Sequence, residues 1–507
     1  MNNPFSFGYT KTVRSTNRFL SVLISAGGIS IIVYALAFLR QVLVAAWFGV
    51  SREMDVYVMA YTLATVVVFS FANIFDTVAV PHLVQQHEQE GAEAARALTR
   101  KLVRASLWLG VAASVLLLVG TWLFAPIIVT GFSFEERAGL VRLMWGFVPW
   151  TLFCLPYYAH AAWYKAQWRF GQVFAADILV VLVSIAALTL WHESIDSLPY
   201  AYGIGYAAGL IQLAVGAHLW RAPKSARPLR AVLRNIGELY AANQTGALAS
   251  LVDRHVQSYV PIGGVGAVNY AAQIVNALSG LLAFREVFVV PLAQKDDRDI
   301  RLERLICGLV LISVPISGFV ICFAPEIVKV LLEHGRFDHA ATSLTSSVLQ
   351  INAISLSIGA VSTPMFRMFQ VVDRIHLTHV KYLTSAASLA LFGYLFVGIL
   401  NLGVRGVAYM QVSSAIVGFA LLACLVAFCG IRVHWWRVLR YFFLACAGAG
   451  VAYAAGKLAA SPFENVWARL AGGGGAFGLF VGACYFFARS RLYAIAFGTQ
   501  IKKNPFT

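Results

Sequence analysis

Charge is scarce in this chain. Only 12% of its 507 residues are Asp, Glu, Lys or Arg, against 59% hydrophobic ones, and the mean hydropathy is +0.73. Soluble domains are about one-quarter charged, and a chain this long and apolar cannot bury its surface in one water-soluble core. Acids are scarcer still, 23 against 39 bases. The resulting net charge of +16 is spread over many short connections, which speaks for membrane orientation and against nucleic-acid binding. The 7 cysteines sit in apolar stretches without the paired spacing of a metal site, so neither a zinc site nor a disulfide framework is indicated. Alternating ten-residue segments are missing, which excludes a β-barrel. No short apolar core with a small-residue cleavage site precedes the first long span, so no cleaved signal peptide is expected. Long loops are missing too, which argues against a membrane glycosyltransferase or polymerase carrying a catalytic outer domain.

What is present is a series of apolar runs. A spanning helix needs ~20 apolar residues, and the sequence divides into about fourteen such spans, from 20–48 to 465–488. The expected fold is an all-α polytopic membrane protein. With the N-terminus in the cytoplasm, inner connections are rich in Lys and Arg, for example Arg96, Arg100, Lys101 and Arg104, or Arg298, Arg301 and Arg304. The outer ones hold only Arg52, Arg137, Arg336, Arg405 and Arg469, so every hairpin obeys the positive-inside rule. Both termini are then expected in the cytoplasm of a bacterial inner-membrane protein.

A weak internal repeat follows. Phe124-Ala125-Pro126-Ile127 returns as Phe323-Ala324-Pro325-Glu326, Val80-Pro81 as Val290-Pro291, and the stretch Tyr164 to Arg169 resembles Phe369 to Arg374. The copies lie about 200 residues, or six spans, apart, which predicts two parallel six-helix lobes. The expected units are 1–222, 223–431 and a C-terminal pair of helices in 432–507.

Charges inside the spans are the candidate functional residues, since each costs ~2.5–3.5 kcal/mol at mid-bilayer even on the lenient insertion scale. Arg40, Arg254, Arg285 and Arg367 are read as anion contacts, because converging guanidinium forks suit phosphate oxygens. Asp55, Asp76, Asp253 and Glu286 are coupling acids or structural partners, with Asp55 or Asp76 as an alternative mate for Arg40 and Asp253-Arg254 as a mutually neutralised pair. Asp177, His160 and His255 are further proton-carrying candidates, the histidines more simply helix-contact residues. Arg142, Lys329 and Lys457 lie near span ends, where long side chains snorkel.

The stretch Phe38-Leu39-Arg40 through Phe48-Gly49 to Asp55 resembles the signature of the MurJ/MviN family of the multidrug/oligosaccharidyl-lipid/polysaccharide exporter superfamily. Val265 to Ala271, His334-Gly335-Arg336-Phe337-Asp338, Phe366 to Asp373 and Leu402 to Ala408 resemble later family segments in family order. The resemblance implies fourteen helices, two lobes with alternating access, and export of an undecaprenyl-pyrophosphate-linked glycan such as lipid II. It also implies that Arg40 is a central-cavity arginine, that Arg254 occupies a cationic position in span seven, and that Asp253 matches an acid linked to cation coupling, a candidate sodium ligand. No other cofactor is expected; sodium or protons are the candidate coupling ions, and a monomer working among membrane lipids is the expected assembly. The chain departs from the family at Tyr34, at Val68, Phe69 and Asn73, and at Ala272-Gln273, where the pattern has arginines and acids. Those departures admit a different cargo, an exopolysaccharide or capsule repeat unit. A multidrug or cation antiporter and a non-transporting scaffold for glycan assembly are the alternatives.

Overall fold

The computed structural model describes residues 15–217, 219, 230–281, 298–372, 374 and 376–497. Among them there are fifteen α-helices and no strand. A bilayer forces this choice, because a helix satisfies its backbone polar groups within one segment. Nine of the helices are long and apolar enough to cross a membrane, counted among the described residues.

The order is α1 (Ser15–Phe48), α2 (Arg52–Ile74) extended by a π-helical turn (Phe75–Ala79), α3 (Val80–Glu90), α4 (Ala92–Ile128), α5 (Phe134–Ala166), α6 (Phe170–Leu190) and α7 (Ser197–Ala217). Then come α8 (Arg230–Gln257), α9 (Gly264–Leu281), α10 (Arg298–Leu332), α11 (His339–Val371), α12 (Leu377–Gly393) with a π-helical end (Tyr394–Ile399), α13 (Gly403–Phe428), α14 (Trp435–Ala460) and α15 (Val466–Phe497). Turn chemistry sets several starts. Ser133 and Glu136 form a capping box on α5, and the Asp338 carboxylate accepts the Ala341 N–H at 2.8 Å ahead of α11.

Helices α4 to α7 pack on one another and on α2, while α8, α9 and α11 to α13 pack together with α10. Between these two bundles α2 lies against α8 and α9, and α1 against α9. The largest apolar core runs across this junction and includes Phe48, Met54, Tyr57, Phe147, Tyr270 and Phe337. Helices α14 and α15 pack on each other and on α10 of the second bundle, and Trp435 at the start of α14 meets Phe419 of α13. The repeated Phe-Ala-Pro segments lie at the end of α4 and at the Phe323 kink inside α10, and their last residues have different surroundings. Ile127 is 64% exposed, whereas Glu326 is buried and takes Arg469 at 3.1 Å and Lys457 at 3.9 Å. Lys457 therefore does not snorkel; it helps fasten the last two helices.

Candidate functional site

One end of the helix junction is sealed by loops and helix ends. Gly49 after α1 and Gly335 before α11 both have φ of +61°, and each lies against main chain of the opposite bundle. A Cβ on Gly49 would stand 2.5 Å from the Arg336 carbonyl oxygen, and one on Gly335 only 2.3 Å from that of Ala46. Glycine is needed at both for its conformation and for the close approach. The Arg336 N–H donates to Ala46 O at 2.8 Å, and Tyr270 Oη donates to Gly49 O at 3.2 Å. A second patch joins Thr130 Oγ1 to Tyr259 Oη at 2.6 Å and brings His255 Nδ1 to 3.1 Å from the Ile127 and Ile128 carbonyls.

Asp55 belongs to this seal. Its fully buried carboxylate accepts the N–H groups of Gly263 (2.7 Å) and Gly266 (2.8 Å), so an acid on α2 caps α9 of the other bundle. It is not the mate of Arg40. Beside it Arg52 forms a two-pronged ion pair with Glu136 and lies over the Phe132 ring at 4.4 Å. The Arg52 hydrogen bond holds the Glu136 carboxyl down at about 2 against the opposing effect of burial, with further help from the Ser133 N–H.

Arg40 lies inside the first bundle. It is 8% exposed, its Nη2 donates to Tyr202 Oη at 2.8 Å, and its guanidinium stacks over the Tyr202 ring at 4.1 Å. Its Nε is buried with no partner, and no carboxylate within the described residues pairs with it. Tyr61 stacks on Trp150 with centroids 5.9 Å apart, and Tyr202 lies 5.5 Å from Tyr61 and 5.4 Å from Trp150. A buried fixed cation with no acid paired to it among the described residues, walled by aromatic faces and phenol hydroxyls, can bind a phosphate oxygen and stack a sugar ring. The aromatic wall was not anticipated from the sequence, although Tyr57 and Tyr61 on α2, and Tyr202 and Tyr206 on α7, share the four-residue spacing that puts side chains on one helix face.

Arg254 serves the opposite side of α2. Its Nε donates to Thr62 Oγ1 at 2.8 Å, next to Tyr61 of the aromatic wall. Asp253 and Arg254 do not pair directly. Gln257 stands between them, accepting from Arg254 Nη1 at 2.5 Å and donating to Asp253 Oδ2 at 2.8 Å. Gln411 of α13 donates to both oxygens of Asp253 (3.1 and 3.3 Å) and accepts from Asn352 of α11 at 3.0 Å.

The remaining candidates are dispersed. Arg367 lies near Tyr382, about a turn from the end of α11 that is remote from the seal. Asp177 accepts the Tyr157 hydroxyl, and His160 Nδ1 lies 2.8 Å from Pro156 O, a satisfied helix contact. Arg142 pairs with Asp196 at 3.2 Å. Among the departures, Tyr34 is 58% exposed, whereas Val68 is fully buried. Arg285 and Glu286 lie outside the described residues, as does the side chain of Asp76.

The family described as "Lipid II flippase MurJ" matches residues 44–466, from the seal to the start of α15. The chain belongs to that family. It is 23% identical over 397 residues to a probable lipid II flippase MurJ of Aquifex aeolicus (strain VF5), covering 72% of this chain and 75% of the relative. A lipid II flippase MurJ structure in an inward closed conformation superposes with a TM-score of 0.76 over 92% of this chain and 100% of the other, at 16% identity. An inward-facing multidrug resistance MATE transporter of the MOP superfamily gives 0.63 over 77% of this chain and 95% of its own, at 15% identity. The chain is thus a multi-pass membrane transporter of the lipid-linked-glycan flippase type, as the resemblance of its motifs implied.

Proposed function

We propose that this flippase carries an undecaprenyl-pyrophosphate-linked glycan from the cytoplasmic to the periplasmic leaflet, with Arg40 holding the pyrophosphate. The observation that carries this reading is the Arg40 guanidinium, buried, free of any acidic partner within the described residues and bare at Nε. In a low-dielectric interior such a cation gains most from an anion brought in by the substrate. Tyr61, Trp150 and Tyr202 would offer faces to the first sugar. The family name favours lipid II as cargo; the Val68 and Gln273 departures favour a related repeat unit instead.

The sidedness follows from charge. The sealed end carries the arginine-poor connections, so it faces the periplasm and the substrate enters from the cytoplasmic side. The bundles 1–222 and 223–431 act as rocking lobes, both termini remain in the cytoplasm, and one chain suffices. A potential of 100 mV, negative inside, contributes ~2.3 kcal/mol per negative charge moved outward.

The test is mass spectrometry of polyprenyl-linked glycans in cells depleted of the protein. Accumulation of one such lipid, reversed by the wild-type chain and not by Arg40→Ala, is expected and names the cargo. Full reversal by Arg40→Ala would sink the proposed phosphate site.

A further inference from the structure

The second bundle contains an acid that needs a counter-charge. Asp253 lines a cavity of about 350 Å³ with Ser355, Ser385, Gln411 and Lys381, running from Asp253 away from the sealed end. Family resemblance makes Asp253 a sodium candidate, but its donor set does not fit a metal ion. Both carboxylate oxygens already face amide N–H groups, from Gln257 and Gln411, and those positive ends oppose a cation at the same lone pairs. Among the described residues no cluster of three or more His, Cys, Asp or Glu is present to complete a metal shell, and the same cavity already holds the Lys381 ammonium.

The chain supplies its own cation. Residues 253 and 254 are consecutive on α8 and cannot face each other, but position 257 is four residues from one and three from the other, so it neighbours both. Gln257 is completely buried, and its orientation is forced. Arg254 has only donors, so Oε1 of the amide turns to it and Nε2 is left for Asp253. The far side of the same guanidinium then reaches Thr62 of the other bundle, whose hydroxyl donates in turn to Val58 O at 2.9 Å.

We infer that Arg254, relayed through Gln257, takes the place of an exchangeable metal ion at Asp253 and ties that acid to the lobe interface at Thr62, so that the sealed state forms without sodium. Gln257 is a positioning residue: it touches no substrate and acts by aiming Arg254. The inference rests on alternating access of the two lobes, and deepens it by naming what holds them together at mid-depth.

The experiment uses the full chain in lipid nanodiscs, with native cysteines replaced and spin labels on Phe134→Cys and Ile262→Cys, exposed positions flanking the seal on opposite bundles. Electron–electron distances are compared in sodium chloride and in choline chloride at one pH. Wild type should give the same short distance in both salts. Gln257→Leu should raise the long-distance population about tenfold, the equivalent of losing one charge-assisted hydrogen bond, and equally in both salts. Thr62→Val, an isosteric change, should do the same and guards against misfolding of the first variant. The double variant Asp253→Asn with Gln257→Glu keeps an acid beside Arg254 and should recover the short distance, which a merely space-filling role for Gln257 would not predict. Gln411→Asp, which exchanges an amide donor for a second carboxylate, should gain a sodium response. A sodium-dependent distance in wild type overturns the inference, as does an unshifted distance in both Gln257→Leu and Thr62→Val. Added polyprenyl-pyrophosphate lipid separates the two levels: a wild type that never opens with it counts against alternating access rather than against the relay.

Discussion

Two guanidiniums inside the spans, those of Arg40 and Arg254, differ in what surrounds them. Arg254 donates from Nε and Nη1 to the protein's own acceptors, Thr62 and Gln257, whereas Arg40 has a hydroxyl and a ring face but keeps Nε unpaired. That contrast supports the proposal of Arg40 as the ligand contact and of Arg254 as a tie between the bundles. Lysine would conserve the charge at position 40 but lose both the fork and the flat face that stacks on Tyr202. Arg40→Lys should therefore lower flipping in reconstituted vesicles by about tenfold or more, a loss of about 1.5–3 kcal/mol per charge-assisted bond. Near-normal flipping by this variant would mean that a point charge is all the site requires.

These residues were only partly legible in the sequence. An arginine in an apolar span announces itself, because nothing else in the span costs as much to bury. The uncharged partners do not: Thr62, Gln257 and Gln411 resemble ordinary polar residues until the helices bring them together. Asp55 was legible as a motif residue, but its role depends on Gly263 and Gly266, more than 200 positions away in the chain.

At the scale of elements, the motif segments Phe48-Gly49 and Gly335-Arg336 turn out to be one contact seen from two sides. Helix starts do much of the remaining work here, and the α5 start also carries a pH signature. Glu136, held at about 2 by Arg52, has an ordinary value near 4.3 when unfolded. Its folded-state value is depressed, so its stabilising contribution is complete above about pH 4.3 and is lost as pH falls towards 2. Thermal unfolding of the purified protein should accordingly show a decline in midpoint through that window, and Glu136→Gln should flatten this part of the profile while lowering the midpoint at neutral pH. An identical profile for the variant would show that the Arg52 pair does not stabilise the fold. Many helix boundaries follow the apolar runs and flanking charges, whereas the polar start of α4 and the amphipathic α3 have no apolar run to mark them.

For the whole molecule, alternating access requires the sealed end to come apart once per cycle. Thr130→Cys with Tyr259→Cys, bridged by a short bis-maleimide in an otherwise cysteine-free chain, should stop flipping completely, while each single variant treated in the same way should retain it. Transport persisting in the bridged protein would place the substrate path elsewhere. The six-span repeat leads to the expectation of two like bundles, but the unequal fate of Ile127 and Glu326 could not be read from a repeat that treats both as equivalent.

That inequality has a mechanical side. The second bundle wears α14 and α15 as a jacket fastened at Glu326, with Gly473 and Gly456 letting the two helices press close to Phe323. On the first bundle the matching helix α4 presents Trp108, Trp122 and Ile127 bare to its surroundings. Bilayer thickness and lateral pressure thus bear directly on one half of the machine and reach this flank of the other through a cushion. The stiffness of the lipid around α4 becomes part of the spring against which the lobes rock, and a thicker membrane loads that spring from one side only.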